Sequence, residues 1–356
     1  MIDLCQKHTP MKKTILTFGL LLFLVVSCRK EEQIAPFSGE TTTQLRTTCF
    51  DGLQRDCNGE ILVFADEAQF MEVYECLERQ YEAWNDAFEQ QHASLNDDDF
   101  NALADSLGFE EDSTLIVFEQ QFPGFVSQRS KLRALEAIWL NNTVLDPATN
   151  PFNNDYLNDV IMQTMFNQHQ EVRIGNRILH ISEVDGSVYL LEAGYCDLLA
   201  TLRNDPTSLI HNSAVTSYPN TRAFGSECES GESEQGEELM NSNEKFWWKL
   251  SFYNYYMLAT SAKGNLKYYK QRNNGTWKKH KKKIAVDVYG TMWNWDCEAP
   301  GPYSKYQLTL KRRSQRDVSY IQGGPQRYKT KNKFAKGTFY LNNRSTYWDK
   351  EIDWEN

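Results

Sequence analysis

Residues 66–92, DEAQFMEVYECLERQYEAWNDAFEQQH, decide the fold of the first half of this chain. Their apolar side chains recur three or four positions apart, which places them on one face of a helix. Asp66 stands where a helix-capping residue is needed. Such a stripe is more typical of a helix that faces a core than of a ligand site. Its members are Phe70, Tyr74, Leu77, Tyr81, Trp84 and Phe88.

The residues on either side of this helix mix helical and extended patterns. Gly175-Asn176 and Asp185-Gly186 are turn signals between alternating apolar residues, so they predict a small antiparallel meander. The acidic run 97–99 suits the first turn of a second helix. Further predicted elements are strands over 59–64 and 115–118 and helices over 127–140, 155–167 and 195–203.

The residues beyond about 244 instead predict an all-β structure. They contain seven of the nine tryptophans, and Asn273-Asn274-Gly275 is a strong signal for a type I′ hairpin. Several segments rich in aromatic or β-branched residues, without helical periodicity, indicate an antiparallel sandwich or barrel. The predicted strands cover 246–257, 265–270, 276–289, 306–313, 317–321 and 337–342.

The two parts of this 356-residue chain carry opposite charge. Residues 241–356 hold 23 Lys and Arg against 9 Asp and Glu, a net charge of +14. Residues 1–240 hold 15 against 39, a net charge of −24, and the whole chain has −10. A stretch rich in Gly, Ser and Glu separates them and is typical of a linker. The prediction is an α+β protein with an acidic domain over 51–210, a linker over 211–243 and a basic β domain over 244–356.

The first residues predict export and lipidation. Two lysines precede the apolar run 15–26, which matches a signal peptide that begins at Met11. The following Val25-Val26-Ser27-Cys28 resembles a bacterial lipobox. That resemblance implies removal of residues 1–27 and diacylglycerol on the thiol of Cys28, where each buried methylene contributes about 0.8 kcal/mol to the anchor. The alternative is an ordinary secretory signal that ends in a cysteine.

The residues after Cys28 indicate which way the anchored protein faces. Cys28-Arg29-Lys30-Glu31-Glu32-Gln33 resembles the surface-export signal of Bacteroidota lipoproteins, a lysine and two acidic residues behind the lipidated cysteine. This resemblance implies a lipid-anchored protein of the outer membrane that faces the cell exterior, with the periplasmic face as the alternative. Residues 28–50 are expected to hold the lipidated cysteine and a flexible polar tether.

A second resemblance covers about residues 60–205. Gly124-Phe125-Val126-Ser127 at a helix start, and Glu171-Val172-Arg173-Ile174-Gly175-Asn176 leading into Ile178, resemble an uncharacterised group of Bacteroidota lipoproteins. These motifs are turn and packing features. The resemblance therefore implies localisation and fold class but no activity.

Export would place the cysteines in an oxidising compartment. Six cysteines remain besides Cys28 and the one that precedes it, enough for three disulfides. Cys49 and Cys57 are predicted to pair across the turn at Asp51-Gly52. Cys76 and Cys196 fall on helical segments and are expected to be buried apolar residues. No CxxC motif is present, so neither a zinc ribbon nor a thioredoxin-like site is predicted.

The chain lacks the sequence signatures of the common enzyme classes. Its histidines form neither HxH nor HExxH, and no GxSxG elbow, Walker-type loop or GxGxxG is present. The acidic run 97–99 lacks the spacing of a calcium loop. The sequence therefore predicts no enzyme activity, no cofactor and no metal site.

One cluster in the basic part has the chemistry of a binding site. Cations beside aromatic rings suit polyanions, because the charges attract phosphate, sulfate or uronate groups while the rings stack on bases or sugars. Alternate lysines of one strand share a face, so the lysines after Trp277 are expected to form a row. The predicted ligand-binding residues are Trp277, Lys279, Lys281, Lys283, Lys311, Arg312 and Arg313.

This cluster supports two functional hypotheses. The first is a non-enzymatic binding protein whose β domain contacts a polyanion or glycan, such as an anionic polysaccharide, through an exposed face; no sequence-specific nucleic acid is expected. The second is a structural or accessory lipoprotein in which residues 51–210 cover that face. Lysines that protect a strand edge, or that lie against anionic lipid headgroups, are further alternatives. A third hypothesis, an enzyme of an unrecognised class, is supported by no residue pattern in the sequence.

Overall fold

The aromatic stripe of residues 66–92 lies on a long helix. In this computed structural model, strands β1 (Gln54–Asp56) and β2 (Ile61–Phe64) lead into helix α1 (Glu67–Gln91). The carboxylate of Asp66 accepts a hydrogen bond from the backbone N–H of Gln69 at 2.9 Å and caps α1, as predicted. The buried members of the stripe are Phe70, Tyr74, Leu77, Tyr81 and Phe88.

The structure describes residues 50, 52–184, 186–218, 232–254, 259–293, 300–306, 309–323, 334–341 and 346–353. The predicted signal peptide, the lipidation site Cys28 and the tether before Phe50 lie outside the described residues. Residues 46–356 form one compact unit. Among the described helices, none combines the length and the apolar character needed to cross a membrane.

Five further α-helices follow α1 in the described residues: α2 (Asp97–Leu107), α3 (Ser113–Gln120), α4 (Gln128–Leu140), α5 (Val160–Met165) and α6 (Leu199–Asn204). The predicted strand over 115–118 is wrong, because these residues lie on α3 with Leu115 and Phe118 buried. A short apolar run does not distinguish a strand from a buried helix. The predicted helix over 155–167 begins only at Val160, because Asp159 occupies its cap position and leaves 150–158 without helical structure.

Sheet I crosses the first half of the protein with six strands in the order β1-β2-β3-β4-β5-β6. Here β3 is Glu171–Ile174, β4 is Arg177–Ile181, β5 is Val188–Glu192 and β6 is Val215–Tyr218. The antiparallel pairing of β3, β4 and β5 confirms the predicted meander. Strand β2 pairs with β3 in parallel, which requires the long connection through α1 to α5. One face of the sheet packs on α1 around Phe64, Phe70, Val172 and Leu190.

The second half contains two five-stranded antiparallel sheets. Sheet II consists of β7 (Glu232–Asn241), β8 (Glu244–Asn254), β9 (Ala259–Gln271), β10 (Trp277–Lys279) and β14 (Gln315–Gly323). Sheet III consists of β11 (Lys282–Trp293), β12 (Pro300–Tyr306), β13 (Lys311–Arg313), β15 (Phe334–Leu341) and β16 (Thr346–Asp353). The predicted hairpin at residues 273–275 joins β9 to β10. The described α-helices all end by Asn204, the later part of the chain consists of strands, and the described strands form open sheets, so the α+β prediction is confirmed.

Sheets II and III share one buried core. Trp248 and Leu266 of sheet II belong to the same apolar cluster as Val286 and Phe339 of sheet III. A side chain has no room at Gly264 of β9, where a Cβ atom would lie 2.6 Å from Cγ1 of Val286. Glycine at this position therefore permits the close approach of the two sheets.

The predicted linker is wrong at both ends. Strand β6 lies near the start of 211–243, and β7 covers its last part. Residues 219–231, in between, lie outside the described residues. Strand β7 lies at the edge of sheet II, where charged residues are common. Its Glu-rich sequence therefore resembles that of a linker in composition, although it forms a strand.

The predicted disulfide between Cys49 and Cys57 is also wrong. Cys57 is bonded to Cys196, 139 positions away, with their Cα atoms 5.4 Å apart. Cys76 is disulfide-bonded as well, so neither Cys76 nor Cys196 is the free apolar cysteine that was expected. Cys49 lies outside the described residues. The turn between β1 and β2 meets the turn before α6 only in the folded chain, so spacing along the sequence does not reveal this pair.

Candidate functional site

The predicted binding residues lie where the two halves of the protein meet. We call residues 50–218 the acidic half, residues 232–353 the basic half, and the contact between them the seam. Strand β13 of the basic half faces the acidic side of α1. Lys311 places its Nζ atom 2.6 Å from Glu82 and 2.8 Å from Asp86. Glu82, Asp86 and Glu89 are four and three positions apart, so they lie along one face of α1.

Arg313 is enclosed by the same acidic row. Its guanidinium donates to Asp86 at 2.5 Å and to Glu89 at 3.1 Å, and only 1% of the residue is exposed. Arg316, the next cation along the chain, donates to Glu82 at 2.7 Å. Although burial alone would raise the pKa of Glu82, Arg316 and Lys311 hold it below its ordinary value. The charged form of Glu82 is thus favoured, and cations of the basic half pair with every member of the acidic row on α1.

Arg312 points instead toward the start of α2. Its Nε atom donates to Asp97 at 2.8 Å, and a terminal nitrogen donates to the carbonyl oxygen of Leu95 at 2.9 Å. The guanidinium also lies 4.6 Å from the ring centre of Phe100. Arg312 is 3% exposed. Arg312 and Arg313 therefore do not lie on an exposed face, because both are buried in ion pairs with carboxylates of the acidic half.

The aromatic residue of the predicted site is covered too. Trp277 is 6% exposed and packs with Trp139 and Tyr269. Its indole N–H donates to the carbonyl oxygen of Thr143 at 3.1 Å. A base or a sugar cannot stack on a ring that is buried in this way, so the expectation of an exposed Trp277 is wrong.

The lysines after Trp277 do not form a row on one strand. Strand β10 ends at Lys279 and β11 begins at Lys282, so the chain passes from sheet II to sheet III between them. Lys281 lies in this crossing. Its backbone N–H donates to Oδ1 of Asn101, and Nδ2 of Asn101 donates to the carbonyl oxygen of Lys281, both at 2.8 Å. Lys279, Lys281 and Lys283 are each partly buried. The predicted alternation fails because it assumed one continuous strand over 276–289.

The centre of the seam is a polar face of sheet II, whose residues were not among the predicted binding residues. Directly paired residues of neighbouring strands lie on the same face of a sheet. The pairing therefore builds three rows of side chains that point toward the acidic half. The rows are Ser251, Lys263 and Ser319; Lys249, Asn265 and Asp317; and Trp247, Lys267 and Gln315.

Three lysines of this face are almost wholly buried, each 1% exposed. Lys249 donates to the carbonyl oxygens of Phe152 and Asp155 at 3.2 and 2.8 Å. Lys263 donates to the carbonyl oxygen of Leu157. The irregular segment 150–158 therefore lies across the face with its backbone carbonyls toward the amines. Burial lowers the pKa of Lys249 and of Lys263 to about 8.

Lys267 has a different environment. Its Nζ atom lies 3.2 Å from the ring centre of Phe152 and 3.7 Å from Glu136, and it makes no hydrogen bond within the described part of the chain. Burial lowers the pKa of Lys267 to about 7. Burial alone would raise the pKa of Glu136, but Lys267 and Arg133 lower it to about 2.

The polar face could be recognised in the sequence only as alternation. Lys249 and Ser251, or Lys263, Asn265 and Lys267, are separated by single residues, and polar residues at such spacing are normally exposed. The alternation does not indicate that another part of the chain covers these side chains. Their burial therefore could not be predicted from the sequence.

One group of described residues has the atoms of a metal site. Ligand atoms of Asp56, Cys57 and Cys196 lie within 4.8 Å of one another. Both sulfur atoms are joined in a disulfide, so the thiolates that bind metals are not present.

Comparisons with known proteins give little further information. No family model matches the chain, and no curated protein matches it. The chain is similar to the crystal structure of a DUF4848 family protein from Bacteroides thetaiotaomicron VPI-5482, with 11% sequence identity and a TM-score of 0.18. The similarity covers 84% of this chain and 94% of that chain. At this identity and TM-score it assigns neither a family nor an activity.

Proposed function

We propose that the protein is a structural or accessory lipoprotein without catalytic activity, in which the basic half serves to hold the acidic half in one fixed arrangement. The observation that supports this most strongly is the burial of Arg312 and Arg313 against Asp86, Glu89 and Asp97. Cations neutralised inside the protein do not attract an external polyanion. The acidic excess of residues 1–240 (−24) and the basic excess of residues 241–356 (+14) then act on each other.

The proposal includes the membrane anchor. The lipobox-like segment before Cys28 and the Lys30-Glu31-Glu32 sequence after it support a lipid anchor in the outer membrane with the folded part outside the cell. A fixed globular unit on a tether is suited to act as a spacer or as a subunit of a surface assembly.

A salt titration on an immobilised sulfated polysaccharide tests the proposal against polyanion binding. The mature chain is compared with the triple variant Glu82→Gln, Asp86→Asn and Glu89→Gln, which removes the carboxylate charges that pair with Lys311 and Arg313 of β13. A control variant removes three exposed carboxylates, two on α1 and one on β5, so that both variants have the same net charge (Glu72→Gln, Glu75→Gln and Glu192→Gln).

The wild type and the control are expected to elute at low salt, and the triple variant is expected to need more salt. Strong retention of the wild type that falls steeply with salt would instead establish polyanion recognition and overturn the proposal.

A further inference from the structure

Two aspartates from opposite halves meet in the seam. Asp159 caps α5, and its Oδ1 atom accepts hydrogen bonds from the backbone N–H groups of Ile161 and Met162 at 2.9 and 3.0 Å. Its Oδ2 atom accepts from the hydroxyl of Tyr74 at 2.7 Å and from the hydroxyl of Ser319. Asp159 therefore has four hydrogen-bond donors on its two carboxylate oxygens, an arrangement that stabilises the charged form of a carboxylate.

Asp317 of β14 has fewer donors. Its Oδ2 atom accepts from the side-chain amide of Gln315 at 2.7 Å and from the backbone N–H of Val160 at 3.2 Å. Its Oδ1 atom is buried and accepts no hydrogen bond within the described ranges. A buried carboxylate oxygen without a donor is costly, whereas a protonated acid carries no charge to solvate. The geometry therefore favours a proton on Asp317.

Charged and titratable groups surround Asp317 on every side. Lys263 and Lys267 approach from β9, Asp159 from the start of α5 and Tyr81 from α1, and Tyr74 of α1 bonds Asp159. Arg133 of α4 donates to the side chain of Gln315 at 3.1 Å, and Asp155 lies near Lys263. The charge of Lys267 is shared with Glu136 at 3.7 Å, so it does not fully compensate a second carboxylate.

These surroundings act on the proton affinity of Asp317. Burial raises the pKa of Asp317 to about 7, and the neighbouring Asp159 contributes in the same direction. The ordinary value for an aspartate is near 3.8. Loss of this proton therefore falls in the neutral range.

We propose that the seam is a proton-controlled lock, in which protonated Asp317 holds β14 against the start of α5 and its ionisation loosens that contact. The inference rests on the proposed function, in which the basic half holds the acidic half in one fixed arrangement, and adds a way to regulate that arrangement. The lock would make the arrangement of the halves sensitive to the acidity of the surroundings.

Hydrogen exchange on the intact mature chain tests the lock. The local opening constant of the amides of α5 and β14 is measured from pH 5 to pH 8, after correction for intrinsic exchange rates. In the wild type the opening constant is expected to increase as the pH is raised toward 7. The steepest increase expected for the release of one proton is about tenfold per pH unit. The Asp317→Asn variant, which resembles the protonated acid, is expected to be flat, whereas the exposed control Asp197→Asn keeps the wild-type slope.

A direct titration keeps the inference testable if Asp317→Asn does not fold. The carboxyl ¹³C signal of Asp317 in the wild type is expected to titrate with a midpoint near 7. A midpoint near the ordinary 3.8, or equal slopes in the wild type and Asp317→Asn, would overturn the lock. Strong binding of the wild type to sulfated polysaccharide would overturn the proposed function and leave this titration unaffected.

Discussion

Arg313 and Asp86 form an ion pair at 2.5 Å, although 227 positions separate them in the chain. Arg313 belongs to the sheets of the basic half, and Asp86 belongs to the longest acidic helix. The pair joins the two regions whose opposite charge is the most evident property of the sequence. At this contact the side chain of Arg313 is only 2% exposed.

Replacement of Arg313 by Met is expected to destabilise the fold by about 2 to 3 kcal/mol, because it leaves carboxylates in the seam without their partner. Asp86 is a third exposed, which keeps the loss below that of a fully buried pair. Arg79→Met is the matched control, since Arg79 forms only an exposed ion pair with Glu75 on the same helix. Urea denaturation of the two variants measures the difference. Equal losses would show that the seam contributes no more than a surface contact.

The buried lysines predict an unusual response to alkaline pH. Lys249, Lys263 and Lys267 have folded-state pKa values of about 8, 8 and 7, below the ordinary 10.5. Between about pH 8 and pH 10 the unfolded chain therefore binds more protons than the folded one, and the free energy of unfolding rises with pH. The limit is about 1.4 kcal/mol per pH unit for each amine.

Denaturation curves at pH 7.5, 8.5 and 9.5 measure this slope. Lys267→Met is expected to reduce the slope and to raise stability at pH 7.5, because an apolar side chain replaces an amine that makes no hydrogen bond to the described residues. Lys278→Met is the control, since Lys278 lies at the margin of the seam in an ion pair with the exposed Asp105. A stability that falls over this range in the wild type would contradict the burial of the three amines.

Gly264→Ala is expected to destabilise the protein by about 1 to 3 kcal/mol, because the new methyl group would overlap Val286 of the facing sheet. Gly194→Ala provides the control, since no atom lies within 4 Å of a Cβ at that position. The midpoints of thermal unfolding distinguish the two variants. Similar midpoints would mean that sheets II and III are not closely packed at Gly264.

Cys28→Ser is expected to release the protein from the membrane fraction, because serine lacks the thiol that would carry the lipid. Replacement of Lys30, Glu31 and Glu32 by Ala is expected to leave the anchor intact but to protect the protein from protease added to whole cells. Cell fractionation and protease accessibility measure the two effects separately. Retention of Cys28→Ser in the membrane would reject the lipid anchor.

Local patterns were informative wherever neighbours in sequence set the structure. The stripe of α1, its cap at Asp66, the meander of β3 to β5 and the hairpin at residues 273–275 depend on spacing within a few residues. A few errors were local, such as the strand predicted over 115–118, but those at the candidate site arose at contacts between distant segments. Cys57 pairs with Cys196, and the cations of β13 pair with α1, across separations that no local pattern encodes.

Composition and periodicity are properties of the chain, so the amino-acid sequence was sufficient to predict the change from helices to strands and the opposite charges of the two parts. Only the tertiary structure decided that the lysines of sheet II and the arginines of β13 are inside. A strand's alternation shows which side chains share a face, but water and a second layer of protein can both cover a polar face. Here the second layer supplies carboxylates and backbone carbonyls at hydrogen-bonding distance, and these make the burial of so many charges possible.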